Sequence, residues 1–181
     1  MQAITSIIKA GKKDAAVLAT LAKSSFIQSH GHSAPAEVIN NYIAEHYNTA
    51  VFIQELNDPQ NIYHIIYYDE KPAGFSKIIF NHPYANSPIQ NISKLERIYL
   101  LQEFYSLKLG KALFEFNMEL AKQQQQTGMW LYVWKENTRA FNFYTRAGFT
   151  IVGSHDFKLS ATHFNPNHQM LLQFGRAAQP G

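Results

Sequence analysis

A central segment of the chain carries the residues whose types and spacing best suit chemistry. A predicted strand, Leu95–Leu101, runs through a short turn into a helix that begins at Leu109. Such a junction leaves backbone N–H groups unpaired at the positive end of the helix dipole, where phosphate binds readily. Gly110 lets a ligand approach the backbone closely, and Lys108 and Lys111 add full positive charges. The segment therefore predicts a site for a phosphate-bearing ligand.

Three further polar residues flank this turn. Asn137 is placed to cap the next helix, and Tyr144 lies on the apolar face of that helix, where a core aromatic is the simplest interpretation. Glu96 shares a strand face with Ile98 and Leu100, so its carboxyl group is a candidate general base with a pKa raised by apolar neighbours. A salt bridge from Glu96 to a neighbouring lysine or arginine is an equally good interpretation.

In two segments, the turn before Leu109 and the stretch from Asn137 to Phe149, the chain resembles the GNAT superfamily of N-acetyltransferases. The turn before Leu109 resembles the pyrophosphate-binding motif of that family, and the second segment resembles its Asn…Ala…Phe-Tyr…Gly-Phe pattern, here Asn137, Ala140, Phe143, Tyr144, Gly148 and Phe149. The resemblance runs from Ile4 to Phe174. The residues from Leu95 to Tyr99, with Trp134, Asn137 and Tyr144, are most similar to the bacterial spermidine/spermine-type branch.

The resemblance implies both a fold and a reaction. The fold is α/β (α+β), with a mixed, mostly antiparallel central sheet of six to seven strands, about four flanking helices and a splayed parallel strand pair in the middle. The reaction moves an acetyl group directly from acetyl-CoA to a primary amine of a polyamine, another small molecule or a peptide. The residues expected to bind the co-substrate are Leu100, Leu101, Gln102, Tyr105, Ser106, Leu107, Lys108, Leu109, Gly110, Lys111 and Asn137.

The resemblance also gives residues their roles. Tyr144 takes the position of the acid that protonates the leaving thiolate, a transfer that ordinary pKa values of ~10 and ~8.5 make uphill by only about 2 kcal/mol. A backbone N–H near Leu100 is expected to stabilise the oxyanion. His30 and His32 lie in a region that flanks the acceptor site in this family. Trp134 is predicted as a core residue, with acceptor contact as the lesser alternative.

One departure from the family pattern affects the phosphate site. Lys108 stands where the first glycine of the motif belongs, and Tyr105 stands where glutamine or arginine is usual. Because positive φ is costly for lysine, either the loop bends differently and Lys108 meets a phosphate directly, or CoA binds more weakly. The second alternative leaves open a non-catalytic acyl-CoA sensor or a scaffold.

The elements that must position these residues follow from hydrophobic periodicity. Strands are predicted at Ile4–Ile8, Ile62–Tyr68, Ala73–Phe80, Leu95–Leu101, Met129–Trp134, Phe149–Phe157 and Gln169–Phe174. Helices are predicted from Asp14, from Ser33 and Pro35, over Thr49–Leu56, over Leu109–Gln125 and from Asn137 to Gly148.

Composition narrows the remaining function classes. The 181 residues suit one domain over 1–175 with a short flexible tail at 176–181. No cysteine is present, which excludes a thiol nucleophile and Cys-ligated metals, and His30, His32, His163 and His168 lack an acidic partner at ligand spacing, so no metal is expected. A net charge of +3 without a basic stripe argues against nucleic acid. Without an apolar leader or span the expected location is cytoplasmic, away from membranes, and a homodimer is the commonest assembly.

Overall fold

The computed structural model describes residues 2–175, so the tail predicted at 176–181 lies outside the described residues. Seven strands form one sheet in the order β1-β2-β3-β4-β5-β7-β6. The strands are β1 Thr5–Lys9, β2 Ile62–Tyr68, β3 Lys71–Ile79, β4 Ser93–Leu100, β5 Gly128–Trp134, β6 Thr150–Lys158 and β7 Phe164–Gln173. The helices are α1 Ala15–His30, α2 Ala36–His46, α3 Thr49–Asn57, α4 Leu109–Gln123 and α5 Thr138–Ala147, with 3₁₀ helices at Lys12–Asp14 and Gln102–Leu107.

The helices cover both faces of the sheet. Helices α1, α2 and α3 pack on one face, where Phe52 of α3 meets Tyr63 of β2. Helices α4 and α5 pack on the other, where Phe116 of α4 meets His64, the next residue along β2. Neighbouring residues of β2 thus point to opposite layers, and four consecutive residues from Tyr63 to Ile66 are buried, as expected for an interior strand.

One strand pair in the middle of the sheet is parallel, and it separates soon after it begins. Strands β4 and β5 pair only through Ser93 with Met129 and Lys94 with Trp130, although they are eight and seven residues long. All the other strand pairs of the sheet are antiparallel. Beyond Lys94 the two strands diverge and open a gap in the sheet. The predicted α/β class, strand number and splayed parallel pair are confirmed, and the five α-helices of the described residues match the five predicted from periodicity, one more than the resemblance implied.

The largest difference from the predicted elements is at the start of β7. This strand begins at Phe164, five residues before the predicted Gln169, because Asn165, Pro166 and Asn167 have the composition of a loop. In the structure they pair with β6, Pro166 standing opposite Asp156. Asn165 and Asn167 are consequently held on a strand beside β5.

Candidate active site

Two cavities lie against the gap between β4 and β5. One encloses about 300 Å³ and is lined by residues of the turn and of α4; we call it the turn cavity. The other encloses about 250 Å³ and is lined by aromatic residues of α1, α2 and the sheet; we call it the aromatic cavity. Five residues line both cavities: Ile98, Tyr99, Asn137, Ala140 and Tyr144. The two spaces therefore meet at a shared wall that includes Tyr144.

The turn cavity lies at the N-terminus of α4. The bond from the Ala112 N–H to the Lys108 carbonyl oxygen, 3.1 Å long, is the first of the helix. The N–H groups of the three residues between them are thus free of helical partners and lie at the positive end of the helix dipole. A Cβ added at Gly110 would meet no atom within 4 Å, so this backbone faces open space inside the cavity. The residues present therefore fit a diphosphate.

At Lys108 the turn keeps the backbone conformation of the family's glycine, whereas the sequence predicted a loop that bends differently or weaker CoA binding. Its backbone is left-handed, with φ 58° and ψ 17°, the conformation that a glycine at this position would supply freely. The side chain is exposed and lines the turn cavity. The chain thus retains the glycine-type turn and adds a positive charge, at a conformational cost of about 1 kcal/mol.

The structure brings only part of the predicted co-substrate set to this cavity. Leu100, Tyr105, Lys108, Gly110, Lys111 and Asn137 line it, whereas Leu101, Gln102, Ser106, Leu107 and Leu109 do not. Leu109 is a core residue, because the apolar face of α4 buries it.

The backbone N–H groups of Leu101 and Gln102, which were predicted to bind the co-substrate, have partners within the protein. The N–H of Leu101 donates to the carbonyl oxygen of Ala73 at 2.9 Å, and the N–H of Gln102 donates to Oε1 of Gln28 at 2.8 Å. Peptide groups alternate in direction along a strand, so the N–H and C=O of Leu100 point away from β3 and into the gap. Leu100 keeps its predicted place.

Arg139 was missed by sequence reasoning and lies at the rim of the turn cavity. Its guanidinium carbon is 3.7 Å from the ring centroid of Tyr105, a cation–π contact that fixes both side chains. The signal was available, since Arg139 occupies the first turn of α5 two residues after Asn137. The cavity therefore presents three cations, Lys108, Lys111 and Arg139.

The aromatic cavity contains two of the three predicted acceptor contacts. His30, the last residue of α1, stacks between Phe26 and Trp134 with centroid separations of 5.0 and 5.1 Å, and lines the cavity with Trp134. Burial, with a smaller contribution from His32, lowers the pKa of His30 to about 4, so its ring is neutral at neutral pH. His32 packs against the outside of the Trp134 ring and does not line the cavity.

Glu96 lines the aromatic cavity but does not have the raised pKa that was predicted for a general base. Its Oε2 lies 2.7 Å from Nζ of Lys77, and its Oε1 lies 3.7 Å from Nζ of Lys94. Burial acts to raise the pKa of this carboxyl, yet the lysines and Arg97 together outweigh it, so the net shift is downward. The salt-bridge interpretation is the one that the structure supports.

Tyr144 and Asn137 belong to the shared wall and lie, respectively, within α5 and at its N-cap. The Oδ1 of Asn137 accepts a 3.2 Å hydrogen bond from the N–H of Ala140, the predicted helix cap, and leaves its Nδ2 available. Tyr144 is buried against Phe149 and Phe114 and lines both cavities. Burial, followed by the nearby Tyr99, raises its pKa well above the ordinary value of 10, so the hydroxyl stays protonated.

Residues distant in sequence complete the aromatic cavity. Sequence reasoning missed Tyr42 and Tyr47 from the α2 region, Lys94 and Arg97 from β4, and Asn165 and Asn167 from β7. They come from separate parts of the chain, so only the folded sheet brings them together.

Neither a metal-binding cluster nor a membrane-spanning helix is found within residues 2–175. That range contains no cluster of three or more His, Cys, Asp or Glu side chains suited to a metal. None of its helices combines the length and the apolar character that crossing a bilayer requires.

Comparisons with known proteins agree with this geometry. The family model "Acetyltransferase (GNAT) family" matches residues 23–149. An uncharacterised N-acetyltransferase of Lactobacillus delbrueckii subsp. lactis is 28% identical over 84% of this chain and 88% of its own length. A spermidine N(1)-acetyltransferase of Thermoplasma acidophilum is 26% identical over 80% of this chain and 88% of its own length.

The same fold is found among solved structures. A crystal structure of the PaiA N-acetyltransferase of Thermoplasma acidophilum in complex with coenzyme A superimposes with a TM-score of 0.76 at 21% identity, over 94% of this chain and 99% of that one. The family match spans the turn, α4 and α5, the elements that form the turn cavity and the shared wall. The chain therefore belongs to the acetyltransferase (GNAT) family.

Proposed function

We propose that this protein is an N-acetyltransferase that moves the acetyl group of acetyl-CoA directly to a primary amine, with acetyl-CoA in the turn cavity and the amine in the aromatic cavity. One observation carries the proposal: two cavities of different character meet at a wall that contains a protonated tyrosine. Direct transfer forms no covalent enzyme intermediate, so the amine must reach the thioester itself. The two cavities adjoin at the residues that line both of them, where the two reacting groups would lie side by side.

The turn cavity is assigned to the diphosphate and the pantetheine arm. The free N–H groups at the start of α4, with Lys108, Lys111 and Arg139 around them, would bind the diphosphate. The carbonyl oxygen of Leu100 and the Nδ2 of Asn137 would bind the pantetheine amides and direct the arm toward Tyr144.

Tyr144 is assigned as the acid that protonates the leaving thiolate. Its raised pKa keeps the proton on the hydroxyl until it is needed. A thiolate released against the same buried wall has its own pKa raised by desolvation, so the transfer stays close to balanced. The oxyanion is assigned to the N–H of Leu100, which points into the gap between β4 and β5.

Deprotonation of the amine is assigned to solvent rather than to Glu96. An ammonium group with a pKa of ~10.4 would pass its proton to a carboxyl below its ordinary value at a cost of about 8 kcal/mol. Loss of the same proton to bulk solvent at about pH 7.5 costs roughly 4 kcal/mol overall, so an amine that enters the cavity already neutral avoids the intermediate of higher free energy. Glu96 then has an electrostatic role, since its carboxylate offsets the charges of Lys77 and Lys94.

The proposal is tested by mixing the protein with acetyl-CoA and a panel of polyamines, small amines and short peptides and following the release of free thiol. Tyr144→Phe should retain CoA affinity and lose at least about tenfold in kcat, because it removes only the acid. Tyr68→Phe removes the same atom outside both cavities and serves as the matched control. CoA binding without thiol release on any amine would instead support the acyl-CoA sensor, and absence of CoA binding would support a scaffold.

A further inference from the structure

The aromatic cavity borders a cluster of charged side chains whose charges do not balance. Three cations, Lys77, Lys94 and Arg97, face two carboxylates, Glu55 and Glu96. Lys77 contacts both carboxylates, at 3.4 and 2.7 Å. The five side chains are between 6% and 29% exposed, so water screens the excess of one positive charge only in part.

The excess charge resides on Lys94. Arg97 is satisfied, because it donates to both carboxylate oxygens of Glu55 and, at 2.8 Å, to the hydroxyl of Tyr63. The Lys94 ammonium group makes no hydrogen bond to any residue in the described range, and its one ion pair there, to Glu96, is 3.7 Å long. Its ammonium group is otherwise enclosed by the rings of Trp130 and Tyr132, at 5.0 and 5.3 Å, and burial lowers its pKa. This cation lines the cavity and has donors to spare.

A second unpartnered polar group lies in the wall of the same cavity. The side-chain amide of Asn167 is 8% exposed and makes no hydrogen bond among residues 2–175, and its Oδ1 is fully enclosed. A buried amide without a partner is costly, so a ligand that donates a hydrogen bond to Asn167 would remove that cost.

Strand register places the two groups at opposite ends of the cavity. Lys94 pairs with Trp130, and Asn167 pairs with Trp134, four residues further along β5, which is roughly 13 Å at ~3.3 Å per residue. Asn167 is thus at the end of β5 that leads to Asn137, where the proposed reaction occurs, and Lys94 is at the end where β4 and β5 are still paired. A ligand that satisfies both must be extended, with its amine near Asn167 and an anionic group near Lys94.

We propose that the acceptor is an amine with a carboxylate at its far end, an extended amino acid or short peptide, rather than a polyamine. This inference rests on the proposed function and specifies its acceptor. A polyamine would bring a second ammonium group beside Lys94, where the cluster already has excess positive charge and both carboxylates are paired. A carboxylate would bring the cluster to neutrality and accept the unused hydrogen bonds of Lys94. The rings of Tyr42, Tyr47 and Phe157 would cover the apolar stem between the two ends.

The test compares three acceptors with the same six-carbon chain: 6-aminohexanoate, hexylamine and 1,6-diaminohexane. We expect kcat/KM to fall in that order, with the aminocarboxylate at least about tenfold better than the diamine, because a partly buried charge-assisted contact has that magnitude. Lys94→Met should reduce the ratio to within about threefold. Lys23→Met removes an exposed lysine of α1 that lines neither cavity, and it should leave the ratio unchanged.

The outcomes separate the two proposals. If all three amines are acetylated and the diamine matches or exceeds the aminocarboxylate, the acceptor assignment is wrong and the proposed function stands. If none is acetylated, binding of the three compounds in the presence of CoA is measured by calorimetry. Stronger binding of the aminocarboxylate would still support the assignment, and equal or reversed affinities would overturn it. The wild-type comparison decides the matter even if the Lys94 variant does not fold.

Discussion

Lys108→Gly should stabilise the protein and weaken its affinity for CoA. Lys108 holds a left-handed backbone at φ 58°, which costs a residue with a Cβ atom about 1 kcal/mol or somewhat more, and glycine adopts it without that cost. In a chain of this length, an increase of about 1 kcal/mol in the free energy of unfolding raises Tm by roughly 2–4 °C. The same substitution removes an exposed charge from the turn cavity, which should weaken CoA binding about fivefold at low salt.

Lys108→Ala is the matched control, because it removes the same charge and retains the Cβ atom. Its CoA affinity should match that of the glycine variant, while its Tm stays close to that of the wild type. Thermal unfolding of the ligand-free proteins measures the first effect, and calorimetric titration with CoA at two salt concentrations measures the second. Equal Tm values for the two variants would show that the left-handed backbone carries no cost here. Wild-type affinity in both would show that Lys108 makes no contact with the diphosphate.

Three further predictions concern the turn, the pH profile and the charge cluster. Gly110→Ala should stabilise α4 by up to about 1 kcal/mol and weaken CoA binding, since the new methyl group enters only the cavity. The ligand-free Tm should therefore rise while the CoA affinity measured by calorimetry falls. Unchanged affinity would place the diphosphate elsewhere. The logarithm of kcat/KM should rise with a slope of one from about pH 6 to 9 as the amine deprotonates, because no protein group of the site changes its charge in that range. His30, with a pKa of about 4, is already neutral, the lowered pKa of Glu96 keeps it ionised, and the raised pKa of Tyr144 keeps it protonated. A plateau within that range would identify a base on the protein. Glu96→Gln should lower the free energy of unfolding by about 2 kcal/mol in urea, because Lys77 loses its shortest ion pair, whereas no loss would mean that this pair adds nothing.

Local sequence predicted several of the residues that line the turn cavity. A strand, a turn and a helix that follow one another in the chain form the turn cavity, so the spacing of Gly110, Lys111, Asn137 and Tyr144 already predicted it. The difference at Leu101 arose from the direction of its peptide groups rather than from its position. Alternate peptide groups of a strand point opposite ways, and the sequence does not say which of Leu100 and Leu101 faces the gap.

The aromatic cavity could not be predicted in the same way. Its walls come from α1, α2, β4, β5 and β7, and residues such as Tyr42 and Asn167 meet only through the sheet order. Glu96 shows the same limit in its chemistry. Apolar neighbours along its own strand favoured a raised pKa, but the decisive neighbour is Lys77 on β3, which the strand register brings to 2.7 Å.

The wall common to the two cavities has a thermodynamic consequence. Whichever molecule binds first excludes water from the residues that line both cavities, including Tyr99 and Tyr144, so the second has less of that surface to desolvate. Affinity for each substrate should accordingly increase when the other is present, and by the same factor in both directions, because such linkage is reciprocal. The complex with both substrates bound is thus favoured over the complex with either substrate alone.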